Sequence, residues 1–210
     1  NKENKKKFNN IILKQINHLI FEIERSTWVD NKITGCAAII LAGLSYNEKT
    51  KYLEFGHNLL KKIIKHSLNS EGFPKSRNIR QLNLYLKYFV LIRELLKESQ
   101  TEIPEYIDEA IYYFGQAYSL TSQNLNSTIL FNGNYELTNE SLDKYLKRFG
   151  YIFKNENKEI DGYAILKNKR IMLTMDIGDS PSNNFSKFYQ SGALSFEIFS
   201  NGKKLITNCG

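Results

Sequence analysis

Two cysteines, three histidines, three prolines and one tryptophan are all that this sequence of 210 residues holds of those types. Cys36 sits in an apolar run and Cys209 at the far end, with no motif spacing between them. That pattern argues against a metal site and against a disulfide framework, and it carries no information about compartment. His18, His57 and His66 fall in helical stretches at no motif position, so catalysis by these histidines is not expected. Long apolar runs are missing too: the longest, Cys36–Ala42, is far too short to cross a membrane. No signal peptide is visible. The chain begins at Asn1 and not at Met, and the expectation is that both ends are cut.

What is present has the balance of a globular protein, with 41% hydrophobic and 24% charged residues. The length allows one large domain or two small ones, with a sizeable core. The net charge of +7 is unevenly placed. Residues 1–100 carry 18 Lys and Arg against 9 Asp and Glu, and residues 101–210 carry 11 against 13, so the halves stand near +9 and −2. A basic surface suits a polyanion such as nucleic acid, anionic lipid or acidic polysaccharide; a solvated lysine-rich helix face is the ordinary alternative.

Periodicity predicts helices first. Phe8, Ile12, Ile16, Leu19, Ile20 and Ile23 form one apolar stripe at three- and four-residue steps. Ile33 to Leu44 is apolar nearly all round, with Gly35, Ala37, Ala38 and Gly43 permitting close helix contact. Leu53 to Ile64 and Leu82 to Leu95 mark two more helices, and Pro104 opens a fifth through Ile107, Ile111 and Phe114. Short connections imply helical hairpins. After the polar stretch Thr121-Ser122-Gln123-Asn124 the signals turn to β. Thr128–Phe131 leads to Asn132-Gly133, Gly162–Leu166 meets Arg170–Met175 across a short turn, and Ser195–Ser200 meets Lys204–Thr207 across Asn201-Gly202. Leu137–Phe149 keeps helical spacing. The predicted organisation is α+β, with a helical domain at 1–122 and a β domain at 123–210.

Four stretches carry a family resemblance, in order. EGFPKSRN at 71–78 resembles an interhelical loop of the form Asp-Gly-Gly-His-x-Ser-Arg-Asn. Ile129–Gly133 fits a strand leading into a β domain. DGYAILKNKRIMLTMDIGDSP at 161–181 resembles a Gly-Tyr-x-x-Leu strand followed by Asp-x-Gly-x-x-Pro. SGALSFEIFSNGKKLITNCG at 191–210 resembles the segment that carries Leu-Ser-Phe-Glu. Together they resemble the heparinase II/III-like family. That resemblance implies an incomplete α/α toroid of helical hairpins followed by the start of an antiparallel β-sandwich. It implies a bacterial protein of the cell envelope or periplasm, with an acidic polysaccharide as partner and no cofactor.

The activity implied is polysaccharide lyase chemistry on uronic-acid-containing glycans. β-Elimination removes a weakly acidic proton next to the sugar carboxylate, so that carboxylate must be neutralised while a base and an acid act on either side. Arg77 and Asn78 are the candidate carboxylate clamp, a bidentate fork and an amide donor. The alternative is structural: Ser76 or Asn78 caps the helix starting near Ile79, and Asn78 with Gln81 fits a capping-box-like arrangement. Tyr163 is the candidate acid or base, with packing as the alternative among 13 tyrosines. Lys75, Ser76, Gln190 and Glu197 are the candidate substrate-binding residues, and no metal ligands are assigned. Two departures stand out: Pro74 and Gln190 occupy positions where the family pattern has His, and neither takes up a proton near neutral pH. A glycan-binding relative without chemistry is therefore the second reading. A basic nucleic-acid-binding module is the third, opposed by the lack of interleaved aromatic and basic residues on a strand face.

Overall fold

The computed structural model describes residues 2–27, 29–46, 49–122, 125, 127–133, 140–186, 192 and 194–208. Among these are six helices followed by five strands, an α+β arrangement. The chain divides into two compact units: Asn1–His66 with Tyr88–Pro104, and Ser67–Lys87 with Glu105–Gly210.

The first unit holds α1 (Lys2–Arg25), α2 (Val29–Ser45), most of α3 (Lys49–Ser67) and the later part of α4 (Ile79–Glu98). The small residues noted in the sequence set the close helix contacts here. A Cβ at Gly35 would lie 2.0 Å from the Ile23 side chain of α1, and one at Gly56 would lie 2.4 Å from Ile40. The Cys36 thiol is buried among these contacts and donates to the Gly56 carbonyl at 3.2 Å. Burial pushes that thiol well up, away from reactivity.

The second unit begins with the loop after α3 and the start of α4, continues through α5 (Glu105–Thr121) and α6 (Glu140–Arg148), and ends in the sheet. Pro104 stands just before α5, whose first turn carries Glu105 and Asp108. Gly150, at φ 79°, ends α6, with Tyr151 N–H returning to the Leu146 carbonyl at 3.0 Å. Residues 137–139 of the predicted Leu137–Phe149 helix lie outside the described residues.

Strands β1 (Glu159–Ile160), β2 (Tyr163–Lys167), β3 (Ile171–Asp176), β4 (Phe196–Ser200) and β5 (Lys203–Ile206) form one antiparallel meander in chain order. Two of its turns have positive φ at both central residues: Asp161 and Gly162 at 48° and 74°, Asn201 and Gly202 at 49° and 77°. That is the conformation that Asp-Gly and Asn-Gly favour and that suits the twist of a hairpin. The register Tyr163↔Asp176, Thr174↔Glu197 and Met172↔Phe199 places these side chains on one buried face. The opposite face exposes Leu166, Ile171 and Phe196.

One expectation fails locally. Thr128–Phe131 is not a strand of this sheet. At Leu130 the backbone is met by side chains instead: its N–H donates to Glu197 Oε2 at 3.3 Å, and Asn208 Nδ2 donates to its carbonyl at 2.9 Å. Glu197, wholly buried, also accepts from Asn208 N–H at 3.0 Å and Thr207 Oγ1 at 3.1 Å, and faces Lys204 Nζ at 3.5 Å. A buried carboxylate so placed ties three chain segments together. Glu197→Ala is expected to lower unfolding free energy by about 3 kcal/mol, because it strands the N–H groups of Leu130 and Asn208 and removes the counter-charge beside Lys204. Glu197→Gln, which keeps shape and one acceptor, is expected to cost less. Denaturant titration of both variants checks this order.

Candidate functional site

The loop between α3 and α4 is shaped by its own side chains. Asn69 Oδ1 accepts from the N–H groups of Glu71 and Phe73, and Gly72 turns the chain at φ 73°. Leu68 and Pro74 form an isolated antiparallel bridge. Arg77 N–H then donates to the Pro74 carbonyl at 2.7 Å, holding Arg77 itself at φ 55°, a region that non-glycine residues seldom occupy. Asn78 caps α4, its Oδ1 accepting from Gln81 N–H at 3.1 Å, as the capping alternative expected. Its Nδ2 donates to the Asn132 carbonyl at 3.1 Å. Ser76 Oγ donates to Gln81 Oε1 at 2.7 Å.

Arg77 reaches from this loop into the sheet. Its Nε donates to the Asp161 carbonyl at 3.1 Å, Nη1 to the Asp179 carbonyl at 2.9 Å, and Nη2 to the Gly162 carbonyl at 3.1 Å and to Asp176 Oδ1 at 2.7 Å. Four of its five N–H groups thus have internal acceptors. Burial works against the charge, but Tyr163, Asp176 and Asp161 outweigh it and hold the proton more firmly than in a free arginine. Glycines make the approach possible. A Cβ at Gly162 would lie 2.4 Å from Gly178 Cα, and one at Gly178 would lie 2.5 Å from Arg77 Nη2.

Tyr163 lies beneath the guanidinium, with Arg77 Cζ 4.8 Å from the ring centroid and Phe131 stacked on the ring at 6.0 Å. Its hydroxyl donates to the Arg77 carbonyl and accepts from Asn132 Nδ2. Burial pushes the phenol well above the ordinary tyrosine range, with Arg77 and the Asn132 bond opposing. Arg77, Asn78 and Tyr163 are therefore brought together around Asn132, each with internal partners. Glu197 is bonded elsewhere, to Leu130 and Asn208. Gln190 lies outside the described residues. Asn132, Asp161 and Asp176 were not singled out as site residues from sequence; their only signals were turn pairs, Asn-Gly, Asp-Gly and Asp-x-Gly.

An open groove of about 860 Å³ lies beside this cluster, within the range of small-molecule sites. Asn69, Ser180 and Ser182 contribute amide and hydroxyl groups to it, and Lys75 Nζ stands 5.8 Å from the Phe185 ring centroid. Its carboxylates outnumber its cations: Glu71, Glu159, Asp161 and Asp179 against Lys75 and Arg77. Asp161 accepts from Asn69 Nδ2, lies 3.8 Å from Arg77 Nε through Oδ2, and has Glu71 on its backbone N–H at 3.0 Å. Burial pushes its carboxyl up to about 6, against the pull of Arg77, with Glu71 adding to the rise. Among the described residues no group of three or more His, Cys, Asp or Glu is placed to hold a metal ion, and no helix is long and apolar enough to cross a membrane.

Residues 161–210 match the family model described as Heparinase II/III-like, C-terminal. Over that segment the chain is similar to the heparinase II/III-like family, the one its loop and strand motifs resemble. The chain as a whole has the fold of part of heparinase III, with a TM-score of 0.72 at 15% identity, covering 94% of this chain and 37% of that one. Heparan sulfate lyase HepC from Pedobacter heparinus matches at a TM-score of 0.71 and 13% identity, over 97% of this chain and 36% of that one. A further heparinase III structure matches at 0.68 and 16% identity, over 99% and 35%. The chain thus spans little more than a third of the length of these solved structures. No curated protein matches it.

Two outcomes follow from the cluster. Arg77→Lys keeps the charge but loses the fork, and is expected to cost about 3 kcal/mol in denaturant unfolding, since an ammonium cannot reach Asp176 and three carbonyls at once. Asp161 holds its proton more tightly folded than unfolded. Its contribution to stability is fully present below about pH 4 and is lost as pH rises through about 6. Thermal unfolding is expected to show wild type gaining stability relative to Asp161→Asn as pH falls from 7 to 5.

Proposed function

We propose that this chain is part of a heparinase II/III-like polysaccharide lyase of the cell envelope or periplasm that acts on uronic-acid-containing glycans by β-elimination. In that reading the helical part at 1–122 and the β part at 123–210 are pieces of a longer toroid and sandwich. The observation that carries the reading is the groove in which Lys75 faces the Phe185 ring among amide and hydroxyl groups. An aromatic face receives the apolar side of a sugar ring, and a neighbouring ammonium receives its carboxylate. The excess of carboxylates elsewhere in the groove directs an anionic sugar to this end of it. Arg77 and Asn78 would serve by holding the loop that presents Lys75.

A specific observation favours the second reading, glycan binding without chemistry. Tyr163 is fully buried, its hydroxyl bonded to a backbone carbonyl and its phenol shifted away from proton transfer at neutral pH. Pro74 and Gln190 supply no alternative proton carrier. Incubation with a panel of uronic-acid glycans, followed by absorbance of the unsaturated product, separates the two. Lys75→Ala is expected to weaken glycan binding about tenfold, the order of one charge-assisted contact. Binding that persists with no unsaturated product selects the second reading, and binding indifferent to Lys75 removes the groove from both.

A further inference from the structure

The second half of the sequence is slightly acidic, yet its cations are not spread evenly. Ala164–Met175 contains Lys167, Lys169 and Arg170 and no Asp or Glu. Ile198–Asn208 contains Lys203 and Lys204 and again none. The fold brings these two acid-free segments side by side. Ile171 pairs with Ser200, and Asn201 N–H donates to the Arg170 carbonyl at 2.7 Å, so the β2–β3 and β4–β5 turns lie together at one end of the sheet. Asn168 Oδ1 fixes the first turn by accepting from the N–H groups of Arg170 and Ile171 at 2.8 and 2.7 Å. Lys204 is directed inward to Glu197. Lys167, Lys169, Arg170 and Lys203 are exposed, and among the described residues none of the four is paired with a carboxylate.

Four cations on two adjoining turns, none paired with a carboxylate among the described residues, form a focused positive potential, set apart from the groove with its carboxylate excess. Such an arrangement does not stabilise the fold, because like charges gathered at one end repel. A second cavity, of about 750 Å³, adjoins them and adds Asn155, Asn157 and Lys158, with Glu156 as its one carboxylate among the described residues. We propose that this end of the sheet is a second binding surface, one that takes a carboxylated or sulfated polysaccharide strand through Lys167, Lys169, Arg170 and Lys203. The choice of a glycan as the polyanion rests on the functional reading above. The residues also favour it over nucleic acid: none of 166–173 or 200–208 is aromatic, so bases find no stacking platform.

The test uses the full chain and heparin as the probe, by affinity chromatography and by titration across a salt series. The K167S/K169S/R170S/K203S variant is expected to elute at clearly lower salt and to bind at least tenfold more weakly at low salt. Its slope of log affinity against log salt is expected to fall by about 3, the order seen for four lost contacts to a flexible polyanion. The charge-retaining variant K167R/K169R/K203R is expected to bind like wild type, which separates lost charge from lost structure. Lys75→Ala is expected to lower the salt slope by about 0.7, the order of one contact against about 3 for the serine variant, so failure of the groove reading is visible separately. Heparin binding that is absent, or indifferent to the serine variant, overturns the proposal. Equal or tighter binding of duplex DNA with the same dependence on these four residues overturns the choice of glycan.

Discussion

A guanidinium taken out of water must find an acceptor for nearly every N–H it carries, and Arg77 finds its own between 84 and 102 residues further along the chain. That requirement organises the second unit. The interhelical loop is wound into a left-handed backbone to aim the side chain, Gly162 and Gly178 clear a path for it, and Asp176 meets it as a buried counter-charge. Tyr163 then closes the circuit by bonding back to the Arg77 carbonyl. Each part is costly alone: a buried carboxylate, a buried phenol, a positive φ. They persist because each satisfies another. The loop at 67–78 and the sheet are consequently one object, and the groove is the space left open beside their junction.

Electrostatics divides the surface of this unit in a way that net charge conceals. Glu71, Asp161 and Asp179 gather where Arg77 and the loop meet, so the groove is a mixed site in which only the Lys75 end suits an anion. Lys167, Lys169, Arg170 and Lys203 stand instead at the β2–β3 and β4–β5 turns, with no carboxylate partner among the described residues. A ligand of alternating sugar rings and acidic groups would be met by different chemistry at the two places: ring stacking and a single ammonium in the groove, long-range attraction at the sheet end. The fold shared with part of heparinase III and part of a heparan sulfate lyase is, at 13–16% identity, a likeness of architecture.

Much of this was legible in the letters. Apolar spacing located six helices, and Asn201-Gly202 marked a hairpin whose turn has the backbone that pair favours. Asn78 followed by Gln81 marked the cap of α4. The motifs at 161–181 and 191–210 carried a resemblance that the family model matches over 161–210. Thr128–Phe131 misled because an apolar run before Asn-Gly has the same pattern whether its backbone pairs with a strand or with the side chains of Glu197 and Asn208.

By itself, then, the sequence determined what depends on neighbours along the chain: helical faces, hairpin turns and a helix cap. These follow from backbone sterics and short-range spacing, which a linear string records. Tertiary structure alone decided which polar side chains are enclosed and which face solvent. Arg77, Tyr163 and Glu197 look like exposed chemistry in the string. In the fold they are buried and internally bonded, while Lys167, Lys169, Arg170 and Lys203, unremarkable in sequence, converge on the surface. The reason is physical: the cost of burying a charge, and the partners that offset it, are set by segments brought together in space, and spacing along the chain carries no record of that proximity.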